Sequence, residues 1–290
     1  MNKIDVTVTK MVAYLRLTRP INCLMMGFAV IVGTVLATSI FLEAPLLTLI
    51  YVFVTGFTLT AASMAINDYY DREIDAVNEP NRPIPSGLIK PEEALAFAFI
   101  CTIIGFVTAY LTNLPCFITA IASWTVSVAY ATVGKRTGLP GNFLVSACVA
   151  VPFIYGSLAV ANKIELNVLF FASMAFLSNT GREITKGIVD VQGDRARSIQ
   201  TLAVLYGEKT AAVAASFFYL SAVLLSPIPW LLDLVSLWFI PLVAITDFGL
   251  VASSLMLMKK YSRENARKTK KNVLLWFIIG LLAFVIGAAR

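Results

Sequence analysis

The chain has 290 residues, 58% of them hydrophobic and only 14% charged, and its mean hydropathy is +0.80. Soluble domains carry roughly 45–50% apolar and ~25% charged residues, so this excess does not fit inside one water-soluble core. The same figures exclude disorder, collagen and a disulfide scaffold, and the net charge of +6 is then a matter of distribution across a membrane rather than a nucleic-acid footprint.

Residues 1–20 are basic and amphipathic, and a full-length apolar stretch from Ile21 follows them in place of a short hydrophobic region and a small-residue cleavage site. The segment is therefore expected to be retained. A spanning helix needs ~20 mostly apolar residues, and nine stretches qualify: 21–41, 46–66, 93–112, 115–133, 142–161, 166–187, 209–228, 234–258 and 273–289. The expected fold class is all-α: a polytopic membrane protein of nine helices, forming a single domain over 1–290. With the N-terminus inside, 21 of the 23 Lys and Arg residues fall on one face of the membrane, and Lys163 and Arg290 on the other. Cytoplasmic segments carry such an excess of Lys and Arg, so the protein is expected in the cell membrane with its N-terminus and long basic loops in the cytosol.

The end of the second span reads Asn67-Asp68-Tyr69-Tyr70-Asp71-Arg72-Glu73-Ile74-Asp75. If the helix continues through it, Asn67, Asp71 and Asp75 stand at i, i+4 and i+8, and Asp68 shares their face. Such a face repels itself unless a cation sits on it. Only oxygen is offered, so the expected cation is hard, Mg²⁺ before Zn²⁺ or copper, completing its shell with water and phosphate oxygens. Arg82, between prolines in Asn81-Arg82-Pro83-Ile84-Pro85, suits a rigid phosphate contact. Arg19 and Asn22 at the start of the first span are candidates to line the same site.

The fourth span ends Tyr130-Ala131-Thr132-Val133-Gly134-Lys135-Arg136, and its two cations are candidate phosphate ligands or simple interface anchors. The sixth ends Arg182-Glu183-Ile184-Thr185-Lys186-Gly187-Ile188-Val189-Asp190-Val191-Gln192-Gly193-Asp194, where Lys186, Asp190 and Asp194 repeat the i, i+4, i+8 ladder. Lys186 takes the place of Asn67, so it would meet a phosphate, that of the first substrate or of a second; Glu183 could pair with Lys186 at i+3. Asp247 lies inside the eighth span, where an ionisable group is functional by default, and the basic run from Lys259 to Lys271 reads as charge near anionic headgroups. The two acidic ladders are offset by about 119 residues, the length of four spans, which suggests pseudo-repeat halves at about 15–135 and 142–258 followed by one further helix.

There is no histidine, which removes imidazole metal sites and the easiest general base near neutral pH. The four cysteines all lie in apolar stretches without a C-x-x-C spacing and read as small buried hydrophobes.

N-D-x-x-D-x-x-x-D at 67–75, R-P-I-P-S-G at 82–87, Y-x-x-x-x-K-R at 130–136 and D-x-x-x-D at 190–194 resemble the UbiA superfamily of intramembrane prenyltransferases, over essentially the whole chain. The resemblance implies nine helices around a central cavity capped by cytosolic loops, with an isoprenyl diphosphate held through Mg²⁺ and its prenyl group passed to a lipophilic acceptor from the membrane. Carried over by position, Asn67, Asp68, Asp71 and Asp75 would serve one metal centre and Asp190 and Asp194 the other. Asp68, Asp71, Asp190 and Asp194 would be the catalytic set, and Arg82, Lys135, Arg136 and Lys186 the diphosphate contacts. Arg19, Asn22, Tyr130, Arg182 and Glu183 would line the site or the acceptor. Many members carry a third acid where Lys186 stands, a departure that thins metal ligation in this half.

Within the superfamily, R-E-I-x-K at 182–186 is most similar to the archaeal ether-lipid branch, which adds a geranylgeranyl group to the free hydroxyl of geranylgeranylglyceryl phosphate. The string Y-D-R-E-I-D-A-V-N-E-P-N-R-P-I-P-S-G at 70–87 is also close to chlorophyll synthases, which keeps aromatic, quinone-precursor and tetrapyrrole acceptors open. A carrier is disfavoured because carriers place ionisable groups near the midplane, and seven acids sit here at or beyond cytosolic helix ends. A non-catalytic scaffold would tolerate neutral residues in both ladders. No nucleic acid is expected, and a protein partner is left open.

Overall fold

The computed structural model describes residues 3–38, 44–196 and 198–288. Among these residues eleven helices follow in chain order: α1 (Lys3–Thr18), α2 (Pro20–Thr38), α3 (Leu46–Asn78), α4 (Pro91–Thr112), α5 (Leu114–Thr132), α6 (Leu139–Ala161), α7 (Leu166–Ala196), α8 (Leu202–Leu225), the short α9 (Ile228–Leu231), α10 (Phe239–Lys259) and α11 (Arg263–Ala288), with a 3-10 turn, Gly134–Arg136, between α5 and α6. No strand occurs among the described residues. Eight helices among them are long and apolar enough to cross a membrane: α2, α3, α4, α5, α6, α8, α10 and α11. An all-helical solution follows from the solvent, because a spanning segment must satisfy its backbone groups internally.

The sixth expected span, 166–187, forms the first two-thirds of α7. This helix is long enough at 31 residues but stands outside the eight, because Ser178, Asn179, Thr180, Arg182 and Glu183 dilute its apolar character. The last expected span begins ten residues early: α11 starts at Arg263 and turns the basic run into a helical extension. The seventh also starts early, since α8 opens at Leu202 with Thr201 as its cap, and Gly207 breaks the helical geometry at φ +85°. The end of the first expected span, 39–41, and the end of the last, residue 289, lie outside the described residues.

The chain forms two compact units, residues 1–31 with 45–132 and residues 32–44 with 133–290. In the first, small residues let helices approach closely: Ala61, Ala62 and Ala65 of α3 share a buried cluster with Ala94 and Ala98 of α4 and with Ala13 and Leu17 of α1. Lipid offers no hydrophobic drive between helices, so small-residue packing and interhelical hydrogen bonds take its place. Thr55 and Thr108 hydroxyls meet at 2.7 Å, Ser63 bonds Ser127, and Trp124 Nε1 donates to Thr102 Oγ1 at 3.1 Å. A Lys10–Glu93 ion pair at 2.6 Å fastens α1 to the first turn of α4.

In the second unit, Ala211, Ala212, Ala215 and Tyr219 of α8 pack with Ile184 and Ile188 of α7, Leu250 and Leu257 of α10, and Val273 of α11. The Tyr219 hydroxyl reaches Thr185 Oγ1 at 3.0 Å. Asp247, without an assignable partner in the sequence, receives a hydrogen bond from Ser226 Oγ at the end of α8, at 2.6 Å. The outward-facing residues of both units include large apolar side chains, Phe99, Phe217, Leu224 and Phe248 among them, as expected where the solvent is lipid.

Candidate active site

α3 runs unbroken for 33 residues, about 50 Å at ~1.5 Å per residue, whereas the hydrocarbon core is ~30 Å thick. Its last turns therefore extend past the apolar layer, carrying Asn67 to Asp75. The helix ends at Glu79, whose backbone N–H donates to Asp75 O at 2.8 Å. A proline-stiffened turn then folds the chain back: Arg82 N donates to Glu79 O at 2.9 Å and Ile89 N to Pro83 O at 3.0 Å. This return places the Arg82 guanidinium on the helix it has just left. Its Nη1 lies 2.5 Å from Asp75 Oδ2 and 3.6 Å from Asp68 Oδ1.

Asp68 has a second cation. Arg19, at the join of α1 and α2, sets its Nη2 2.6 Å from Asp68 Oδ1. Arg19 adopts φ +49°, a conformation non-glycine residues rarely take, and its carbonyl accepts from Asn22 N at 2.8 Å to start α2. Asp68 and Asp75 are buried at 3% and 6% exposure, and burial of a carboxylate calls for such pairing. Asn67 and Asp71 are partly exposed and bond each other, Nδ2 to Oδ2, at 3.1 Å. Asn22 turns its amide toward Met64 Sδ at 4.0 Å, one helical turn before Asn67 and Asp68 on α3.

Four metal ligands are the sequence expectation on this face; two of the four are engaged by guanidinium groups. Among the described residues no group of three or more His, Cys, Asp or Glu converges as a metal cage. The donor set fits a hard ion bound through one or two protein oxygens, with water and phosphate oxygens completing the shell, which is the habit of Mg²⁺.

In the second unit α7 likewise continues past its apolar part, through Ala196, and holds Lys186, Asp190 and Asp194 on one face. Asp190 and Asp194 are partly exposed and Lys186 exposed. Glu183 joins two cations, Arg182 at 2.9 Å and Lys186 at 3.3 Å. Lys135 and Arg136 form the 3-10 turn after α5, and that turn is tied to the segment following Asp194 by Gln200 N donating to Arg136 O at 3.2 Å. Two glycines permit the tie. Gly138 has φ +67°, where a Cβ would run into Gln200 O, and a Cβ on Gly141 would run into Gly134 O. Tyr130 sits on α5, in the first unit, partly exposed.

The structure thus brings Arg19, Asp68, Asp75 and Arg82 together in one unit, and the backbone of the Lys135–Arg136 turn beside the end of α7 in the other. Sequence spacing finds the ladders because both repeat with helical period. It misses the Arg19–Asp68 pair, which joins residues 49 positions apart; the only local sign is the Arg19-Pro20 step.

The profile of the UbiA prenyltransferase family matches residues 26–287 of the chain. The chain belongs to the UbiA prenyltransferase family. A relative named digeranylgeranylglyceryl phosphate synthase, from Archaeoglobus fulgidus, is 38% identical over 269 residues, covering 91% of each chain. A solved structure described as digeranylgeranylglyceryl phosphate synthase in membranes superposes with a TM-score of 0.87 at 33% identity, over 97% of this chain and 99% of that one. A more distant UbiA homologue from Archaeoglobus fulgidus, solved with GPP and Mg²⁺, shares the fold at a TM-score of 0.69 and 18% identity, over 94% and 99% of the two chains. Membership of the UbiA family makes this protein a multi-pass membrane prenyltransferase.

Proposed function

We propose that the protein transfers a geranylgeranyl group from geranylgeranyl diphosphate to the free hydroxyl of geranylgeranylglyceryl phosphate, forming the second ether bond of an archaeal membrane lipid. The observation that carries the chemistry is the polar end of α3, where Asn67 and Asp71 lie on a face flanked by Arg19 and Arg82. The acceptor rests on the likeness to relatives bearing the name digeranylgeranylglyceryl phosphate synthase.

In this proposal both polar ends are cytosolic. Asn67 and Asp71, with Asp68 and Asp75 behind them, and Asp190 with Asp194 would hold Mg²⁺, which when bound supplies Lewis-acid neutralisation of a leaving diphosphate. Arg82, Lys135 and Arg136 bind the diphosphate oxygens and stabilise the negative charge that develops as the allylic C–O bond breaks. Asp68 and Asp75 aim the guanidinium groups, and their burial keeps that aim fixed. The apolar helices exclude water from the allylic cation, so the acceptor oxygen captures it and a C–O ether bond forms. The hydroxyl proton passes to an oxygen base, the departing diphosphate or a carboxylate, since the chain has no imidazole.

The test is a membrane assay with radiolabelled geranylgeranyl diphosphate and three acceptors: geranylgeranylglyceryl phosphate, a hydroxybenzoate and a chlorophyllide. Label should move to the first and stop moving when Mg²⁺ is chelated. Transfer to either of the other two in preference would overturn the acceptor assignment.

A further inference from the structure

The two acidic ladders differ in what lies one and two helical turns before them. On α3 the residues preceding Asp71 at four-residue steps are Asn67 and Ser63; on α7 those preceding Asp190 are Lys186 and Arg182. One end is neutral and the other carries two cations. A donor diphosphate held equally by both ladders gives no reason for that difference. At ~1.5 Å rise per residue, Lys186 stands about 6 Å and Arg182 about 12 Å along the axis from Asp190, on the side away from Asp194.

In the local structure two cations share one carboxylate. Glu183, 10% exposed, accepts from Arg182 Nη1 at 2.9 Å and from Lys186 Nζ at 3.3 Å. One carboxylate between two cations holds both side chains along one edge of α7. Arg182 Nε is buried and has no hydrogen-bond partner, although buried donors in native proteins almost always have one. Arginine offers donors in a fixed fork that matches phosphate geometry, and here part of that fork is unused.

We infer that Arg182 and Lys186, aligned by Glu183, bind the phosphomonoester of the lipid acceptor. The inference rests on the acceptor named in the proposed function. That molecule carries its phosphate and its free hydroxyl on the same three-carbon glycerol, so a second anion site close to the diphosphate site would bring the hydroxyl to the allylic carbon. Such a site also gives selectivity: a hydroxybenzoate or a lipid alcohol of similar length lacks the group that these cations recognise. A site built to bond a polar group rejects analogues without it, because its own buried groups are left unpaired.

The experiment compares the intact enzyme with Arg182→Gln and Lys186→Gln in Mg²⁺-containing membranes, titrating donor and acceptor separately. Loss of a charge-assisted phosphate contact should raise KM for geranylgeranylglyceryl phosphate by about 10- to 100-fold. KM for geranylgeranyl diphosphate should move by less than about twofold on the same scale. Geranylgeranylglycerol, which lacks the phosphate, should be a poor acceptor for the wild type and no poorer for the variants. Lys186 is 46% exposed, so its variant is expected to fold even if loss of Arg182 disturbs packing, and Lys186→Arg should restore acceptor affinity. A rise in donor KM instead would assign these cations to the diphosphate and sink the inference while leaving the overall reaction intact. Equal wild-type KM values for the phosphorylated and unphosphorylated acceptors would sink it as well. Failure of the wild type to use geranylgeranylglyceryl phosphate at all would count against the proposed function itself.

Discussion

Charged residues are few, and their pairing decides their worth. Asp71 and Asp190 occupy matching rungs of the two ladders, both partly exposed, and removing either carboxylate should cost more than tenfold in turnover. Quantifying diphosphate release in membranes with matched protein levels checks this, and a smaller loss would argue against metal-assisted ionisation. Arg82 is a different case, because it neutralises Asp75 and contributes to Asp68, both buried. Arg82→Ala leaves carboxylate charge uncompensated and should lower stability by about 1–3 kcal/mol in addition to weakening substrate binding. Arg82 is a third exposed, so water softens the penalty; a thermal unfolding midpoint in detergent reads it. Residues four apart advertise a shared helix face in any sequence, which is why Asn67, Asp71, Asp190 and Asp194 were legible. The partnership of Arg19 with Asp68 was not, because it depends on a positive φ at a helix join that no periodicity encodes.

At the scale of elements, the all-helical class was legible and the helix ends were not. Hydropathy locates the apolar middle of a helix but is blind to a polar continuation. α3 and α7 run on past their apolar stretches to Asn78 and Ala196, and α11 begins in a basic run. The sequence does carry a signal for the continuation of α3: no glycine or proline interrupts 57–78, and the acids keep helical spacing. Gly207 works the other way, an internal break at φ +85° in what otherwise reads as helix. The connection between α5 and α6 is the most demanding of these junctions. Gly138→Ala combines a positive φ with a Cβ directed into Gln200 O, and is expected to destabilise by about 1–3 kcal/mol. Gly193→Ala is the control, since a Cβ there meets nothing within 4 Å and the residue lies in α7; it should leave the unfolding midpoint unchanged or slightly higher. Equal losses in the two variants would refute the steric account.

For the molecule as a whole, the sorting of basic residues predicts its orientation. Single cysteines placed at Lys163→Cys and at Lys268→Cys, in a background lacking the four native cysteines, should be labelled from opposite sides by an impermeant thiol reagent. Lys268 should react from the cytosolic face. Labelling of both from one side would refute the proposed topology, and labelling of Lys268 from the outer face would reverse it. The apolar excess that marks the chain as a membrane protein gains a chemical purpose in the proposed reaction, as the dry container for a cation that water would destroy.

The bond between Gln200 and the Arg136 carbonyl has a mechanical consequence. Two surface connectors far apart in the chain are lashed into one piece, so the Lys135–Arg136 turn is anchored to the strap behind α7 as well as to its own neighbours. An affinity tag or reporter inserted between Gln200 and Thr201, where a loop would ordinarily be the forgiving place to add sequence, would therefore loosen cations more than sixty positions upstream. The loop behaves as a splice rather than as slack.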